Sequence, residues 1–325
     1  MNIYVTRRIP EAGLQMLEKA FGKFEMNPDD RVLTREELLE KVKGRDGFIP
    51  LLTDKIDDEV MEAAGPQCKI ISNYAVGYNN IDVAAASKRK IMVTNTPGVL
   101  TDTTADMAIA FMFAVARRMA ESDVYMRSGQ FQGWGPMLLL GQEMTRKTLG
   151  IVGAGRIGEN VAIKMAKGFG MKILYTDLSG NEFLEKEVGA QKVTLEQLCQ
   201  ESDYISIHVT YSQATHHLID EKMLNCMRPS TILVNTSRGP VIDEVALVKT
   251  LKEGKIFGAG LDVFEDEPAM KPGLAECKNT VIVPHLGSAT IETRSKMAEI
   301  AAQNLINALQ GRTPEFLVNK EAFSL

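Results

Sequence analysis

The densest chemistry-bearing pattern in this 325-residue chain is Gly153-Ala154-Gly155-Arg156-Ile157-Gly158. At that spacing, Gly153 permits a tight turn, Gly155 a close approach of backbone to a bulky anion, and Gly158 close packing of helix on strand. The context makes the spacing specific. An apolar run, Thr148–Val152, precedes it and helical periodicity over Arg156–Phe169 follows. A second run, Lys172–Thr176, then ends in Asp177, nineteen positions beyond Gly158. This strand–turn–helix–strand–acid order is what a dinucleotide site requires, whereas a ligand-free turn requires none of it. The backbone N–H groups of Arg156 and Ile157, at the helix start, would face the pyrophosphate, and Asp177 would accept from the adenosine ribose hydroxyls. A carboxylate there repels a 2′-phosphate, and Leu178–Asn181 carries no cation, so NAD is expected over NADP.

Three further stretches each follow an apolar strand: Asn235–Gly239, Gly260–Pro268 and Pro284–Ser288. Together they offer one arginine, Arg238, one carboxylate, Glu267, and one histidine, His285. Taken singly, each has an ordinary explanation as a surface cation, a solvated loop acid or a structural histidine. Their ordered recurrence beyond a dinucleotide motif, at the strand ends where open α/β sheets bind ligands, marks them as a set.

The elements that must position these residues are legible as alternation. Apolar strands over Asn2–Thr6, Gly47–Leu52, Lys69–Tyr74 and Lys90–Thr94 are separated by amphipathic patterns such as Glu11–Ala20 and Arg35–Val42, the latter N-capped by Thr34. A long helix over Thr101–Arg127 and an exposed excursion, Ser128–Pro136, lead to a second series. Its strands are Thr148–Val152, Lys172–Thr176, Asp203–Val209, Thr231–Asn235, Phe257–Val263 and Thr280–Pro284, and a last helix covers Ile291–Gln310. Alternation of this kind predicts an α/β fold of parallel sheets covered by helices. The expected division is residues 1–99 with 291–325 as one domain and 100–290 as the dinucleotide-binding domain.

Composition excludes several classes. With 45% apolar and 24% charged residues the chain can bury two cores. Its net charge of −5, without a basic stripe, argues against nucleic acid or an anionic membrane as partner. The longest apolar run, Met107–Ala116, is too short to span a bilayer. Cys68, Cys199, Cys226 and Cys277 lie too far apart for a zinc site and read as reduced thiols of a cytoplasmic protein. No metal is expected: His216-His217 reads as an exposed pair without an acidic partner. His208 ends a strand and packs at most beside the cofactor.

With these stretches in order, the chain resembles the D-isomer-specific 2-hydroxyacid dehydrogenase family over nearly its whole length. The matching stretches are TPGVLTDTTAD (96–106), TLGIVGAGRIG (148–158), VNTSRGPVIDE (234–244), GAGLDVFEDEP (258–268) and VPHLGSATIETR (283–294). NYAVGYNNID (73–82) and WGPMLLLGQEM (134–144) are most similar to the glyoxylate/hydroxypyruvate reductase and 2-ketoaldonate reductase branch.

The resemblance implies two Rossmann-like or flavodoxin-like domains with the active site in the cleft between them, residues 1–99 with 291–325 binding substrate. It implies Arg238, Glu267 and His285 as the catalytic trio. Thr104, Thr236, Asp262 and Ser288 become nicotinamide contacts, with Arg238 and His285 also against the cofactor. The N–H groups of Val76 and Gly77 would cradle the substrate carboxylate. Leu52 would supply an apolar wall, with Trp134 lent by the partner of a homodimer. One departure is Thr210, where the family usually has proline, near the pyrophosphate loop.

The implied reduction needs these residue types. Hydride reaches the 2-carbon while a proton reaches the carbonyl oxygen, and a histidine, ordinarily titrating near about 6.5, can donate it. A carboxylate on its other ring nitrogen favours the imidazolium, and an arginine fork grips a carboxylate beside a carbonyl. The expected substrates are glyoxylate and hydroxypyruvate, then 2-ketogluconate, with a D-lactate-type activity as a further alternative. A corepressor-like NAD-binding protein of the same family is disfavoured because the chain lacks low-complexity tails. Formate oxidation is disfavoured by Glu267, and phosphorylated substrates by the lack of Lys or Arg in 51–53 and 74–80.

Overall fold

Polar caps and short apolar runs alternate through the chain, and the computed structural model, which describes residues 1–323, resolves them into two units. The first comprises Met1–Val99 with Ala289–Leu325, the second Leu100–Ser288; the last two residues of the 291–325 segment lie outside the described residues.

In the first unit the order is β1 (Ile3–Val5), α1 (Glu11–Phe21), β2 (Glu25–Met26), α2 (Arg35–Val42), β3 (Gly47–Ile49), α3 (Asp58–Ala64), β4 (Ile70–Ser72), α4 (Val83–Lys88) and β5 (Met92–Thr94). Side chains of Thr34, Asp57 and Asp82 accept the N–H of Glu37, Val60 and Ala85 and start α2, α3 and α4. Each such cap contributes about 1 kcal/mol. The strands form one parallel sheet in the order β2-β1-β3-β4-β5. β1, β3 and β4 are buried at every residue, which is why their sequences are continuously apolar rather than alternating.

The second unit opens with α5 (Thr101–Ala116) and α6 (Met119–Arg127). Then follow β6 (Thr148–Val152), α7 (Arg156–Phe169), β7 (Lys172–Thr176), α8 (Glu182–Val188), β8 (Gln191–Lys192), α9 (Leu195–Glu201) and β9 (Tyr204–Ile207). The unit closes with α10 (Glu221–Cys226), β10 (Ile232–Asn235), α11 (Glu244–Lys252), β11 (Gly258–Leu261) and β12 (Thr280–Ile282). Seven parallel strands lie in the order β12-β11-β10-β9-β6-β7-β8. The order reverses between β6 and β9, and such a switch point opens a crevice at the C-terminal strand ends. The last helix, α12 (Ile291–Leu309), returns to the first unit, packs on α1, β3 and β4, and accepts the Ser72 hydroxyl at the Ala301 carbonyl, 2.8 Å away.

One expectation is corrected, and two short strands add to those expected. The helix expected over Thr101–Arg127 breaks at Arg118, whose φ of 51° lies in the left-handed region. Two-residue strands β2 and β8 sit at sheet edges and were too short to register as apolar runs. Among the described residues no helix is long and apolar enough to cross a membrane.

Candidate active site

Six C-terminal strand ends of the second unit carry the residues singled out by the sequence. After β6, Gly153 turns with φ 95°, and a Cβ there would stand 2.7 Å from the Val209 nitrogen. Gly155, in contrast, faces open space: a Cβ would meet nothing within 4 Å. The protein itself gives no reason for glycine there; a pyrophosphate lying on the turn does. No side chain caps α7 at Gly155, so the first N–H groups of that helix, Arg156 and Ile157 among them, are open to an anion. Asp177 accepts the N–H of Ala154 at 2.8 Å and of Leu178 at 2.7 Å, which aims its carboxylate across the Gly-rich turn.

After β9, the His208 ring meets the Ser206 hydroxyl at 2.9 Å, and burial pushes its pKa down to about 3, so it is neutral at physiological pH. After β10, the buried Thr236 hydroxyl has no hydrogen-bond partner among the described residues. Buried polar groups are almost always paired, and this orphan at a crevice rim suits a ligand's amide. Both observations, with Gly155, fit NAD.

A histidine–carboxylate pair forms around β11 and β12. His285 Nδ1 lies 2.8 Å from Glu267 Oε1, and the pair is half-buried. The histidine backbone has φ 53° and donates its N–H to the Asp262 carbonyl at 2.9 Å. Holding a non-glycine residue there costs about 1–3 kcal/mol, which the surrounding bonds must offset. They come from Asp262, which is buried: its Oδ1 accepts the N–H of Leu286 at 2.5 Å and its Oδ2 that of Gly287 at 2.8 Å. Burial raises the Asp262 pKa, against the lowering effect of those N–H groups and of His285. Thr104 joins the same turn by donating to the Gly287 carbonyl at 3.1 Å, and Ser288 follows it. Burial also lowers the Arg238 pKa, opposed by the charges of Glu267 and Asp262. An arginine nonetheless stays charged. Thus Arg238, Asp262, Glu267 and His285 share one electrostatic neighbourhood.

In the first unit, Thr96 N–H donates to the Ala75 carbonyl at 2.9 Å and Asn95 Nδ2 to the Val76 carbonyl at 2.8 Å. Those bonds fix the two peptide planes that carry the N–H groups of Val76 and Gly77. Neither N–H has an acceptor among the described residues. Leu52 is exposed in the loop after β3.

Residues 109–287 match the family described as D-isomer specific 2-hydroxyacid dehydrogenase, NAD binding domain. The chain belongs to that family. It is 52% identical to a glyoxylate reductase of Thermococcus litoralis, over 99% of this chain and 98% of the relative. Among solved structures it is similar to a glyoxylate reductase from Paecilomyes thermophila, with 31% identity, a TM-score of 0.87 and 99% of each chain covered. An NADPH-dependent glyoxylate/hydroxypyruvate reductase from Sinorhizobium meliloti, in complex with citrate, is 30% identical with a TM-score of 0.82 over 98% of each chain.

Two details of this dehydrogenase depart from the sequence expectations. His217 is not an unpartnered exposed residue: its Nε2 lies 3.1 Å from Glu265 Oε1, while its ring stacks on His216 at 4.0 Å. The acid stands 48 positions away, beyond any local pattern. The 178–181 stretch carries no cation of its own, yet Lys192 from β8 reaches the Leu178 carbonyl at 3.2 Å. Asn73, whose Nδ2 donates to the Gly77 carbonyl at 2.9 Å, Asn95 and Ser206 also shape the site, and in one dimension such an amide or hydroxyl looks like any loop polar residue.

Proposed function

We propose that this dehydrogenase reduces short 2-oxo acids, glyoxylate and hydroxypyruvate foremost, to D-2-hydroxy acids with NADH. The observation that carries the reading is the 2.8 Å pairing of His285 with Glu267 in the field of Arg238, on the sheet that bears the dinucleotide turn. When bound, NADH supplies the hydride to the 2-carbon. His285 as imidazolium gives the proton from Nε2 to the developing alkoxide and is left neutral, to be recharged from solvent. Glu267 on Nδ1 orients the ring and stabilises its charged form. Arg238 grips carboxylate and carbonyl oxygen together, and in the first unit the Val76 and Gly77 amides offer a carboxylate two further donors.

In the cofactor site, the N–H groups of Arg156 and Ile157 take the pyrophosphate and Asp177 the ribose hydroxyls. Thr104, Thr236, Asp262 and Ser288 surround the nicotinamide, and His208 packs neutral beside it. Asp262 already serves two N–H donors, but a carboxylate has lone pairs to spare for a third. Asp177 favours NADH; Lys192, whose ammonium reaches the Leu178 carbonyl, is a cation that could soften that preference. The four free thiols, three of them buried, fit a reducing cytoplasm. Assembly is as a homodimer through α6 and the following excursion, Trp134 entering the partner's site.

The test is a panel of glyoxylate, hydroxypyruvate, 2-ketogluconate, pyruvate and phenylpyruvate, each with NADH and NADPH. The expected result is the highest kcat/KM with glyoxylate or hydroxypyruvate, and at least about tenfold preference for NADH. His285→Ala should lose roughly 10²–10⁴ in kcat while NADH binding persists. Phenylpyruvate tenfold ahead of both leading substrates, or equal use of the two cofactors, would refute the corresponding assignment.

A further inference from the structure

The loop that carries Glu267 is fastened by a carboxylate outside the catalytic trio. Glu244, the first residue of α11, is only 4% exposed. Its Oε2 accepts the N–H of Glu265 at 2.7 Å, and its Oε1 accepts the N–H of Lys271, also at 2.7 Å. A return bond runs from the Glu244 N–H to Glu265 Oε2 at 3.2 Å. One buried side chain therefore closes both ends of residues 265–271, and Glu267 lies inside that span. Glu265 is braced from its far side by His217, and the Lys271 ammonium stands 3.6 Å from its Oε1. The start of the loop also lies hard against the Arg238 segment: a Cβ on Gly239 would stand 1.9 Å from the Phe264 carbonyl carbon.

Burying a carboxylate is unfavourable unless its lone pairs are met. Here both oxygens are spent on backbone N–H groups of a single loop, and that loop presents one half of the proposed acid pair. We propose that Glu244 is a positioning residue, whose double grip on loop 265–271 sets where Glu267 stands against His285. The inference rests on the Glu267–His285 reading above. The charges that face the pair are Arg238 and Asp262; those that face the clamp are His217, Lys271 and Asp266.

The experiment compares whole enzyme with Glu244→Ala, Glu244→Gln and Glu267→Gln. It measures kcat, KM for glyoxylate and NADH, the pH–rate profile of reduction, and thermal midpoint. Glu267→Gln should move the alkaline limb to lower pH, since the imidazolium loses its carboxylate. Glu244→Ala should lower kcat at least tenfold, leave KM for NADH within about twofold, and move the alkaline limb in the same direction. Glu244→Gln should recover part of both effects, because its amide oxygen still accepts one of the two N–H groups. A Glu244→Ala enzyme that melts earlier but keeps wild-type kcat and profile would reduce Glu244 to a structural role and overturn the proposal. Should that variant not fold, a Glu244→Gln enzyme with unaltered kcat and profile overturns it instead. An unmoved limb in Glu267→Gln would mark failure of the acid-pair reading itself, and the inference would fall with it.

Discussion

His208 follows the central strand β9 and His285 the edge strand β12 of one sheet, and their rings meet different partners. His285 is paired with a carboxylate through Nδ1, whereas His208 meets the Ser206 hydroxyl, and burial takes its pKa down to about 3. The unfolded chain would titrate the same residue near about 6.5. Between those values the unfolded state binds the extra proton, so this contribution to stability is full above the unfolded value and is lost as pH falls. The loss amounts to at most about 1.4 kcal/mol per pH unit. Asp54 and Asp262, whose pKa values burial raises, act in the opposite sense over the lower part of that range. A comparison of wild type with His208→Asn cancels them. The variant's thermal midpoint should fall less steeply than wild type's on acidification from about pH 6.5 to pH 4. Parallel curves would show that His208 is not the neutral base described.

At the scale of elements, the break between α5 and α6 shows where local reading stops. Residues 101–127 hold no glycine or proline, so nothing in them signals an interruption. The cause is distant in sequence: the Ala116 carbonyl accepts the N–H of Gln142 at 2.9 Å, and Arg118 turns left-handed while binding Glu121 through two 2.9 Å contacts. Returning chain, rather than propensity, ends α5. The segment it frees is unusually apolar for a surface. Val124, Met126, Phe131, Met137 and Leu140 are exposed, and Trp134 is 85% exposed. An apolar patch of this kind marks an interaction surface. For the proposed homodimer, sedimentation at micromolar concentration should give twice the chain mass, and Trp134→Ala should weaken association or raise KM for glyoxylate. A wild-type monomer at that concentration would remove the arm from the assembly and from the site.

Across the whole molecule, the sequence made legible what repeats and what is local. Continuous apolar runs such as Thr148–Val152 told of parallel strands buried on both faces, and the spacing from Gly153 to Asp177 told of a dinucleotide. What escaped was whatever depends on a partner far along the chain. Glu244 closes the quoted stretch 234–244 yet gave no sign that it would be buried under a loop twenty-odd residues later. Similarly, Asn95 gave no sign that it would lock the Val76 carbonyl. The central claim, reduction of a 2-oxo acid to one hand of its alcohol, is tested most directly by chiral analysis of the glycerate formed from hydroxypyruvate and NADH. The account predicts D-glycerate in step with nicotinamide oxidation. Accumulation of L-glycerate, or NADH consumption without glycerate, would contradict it.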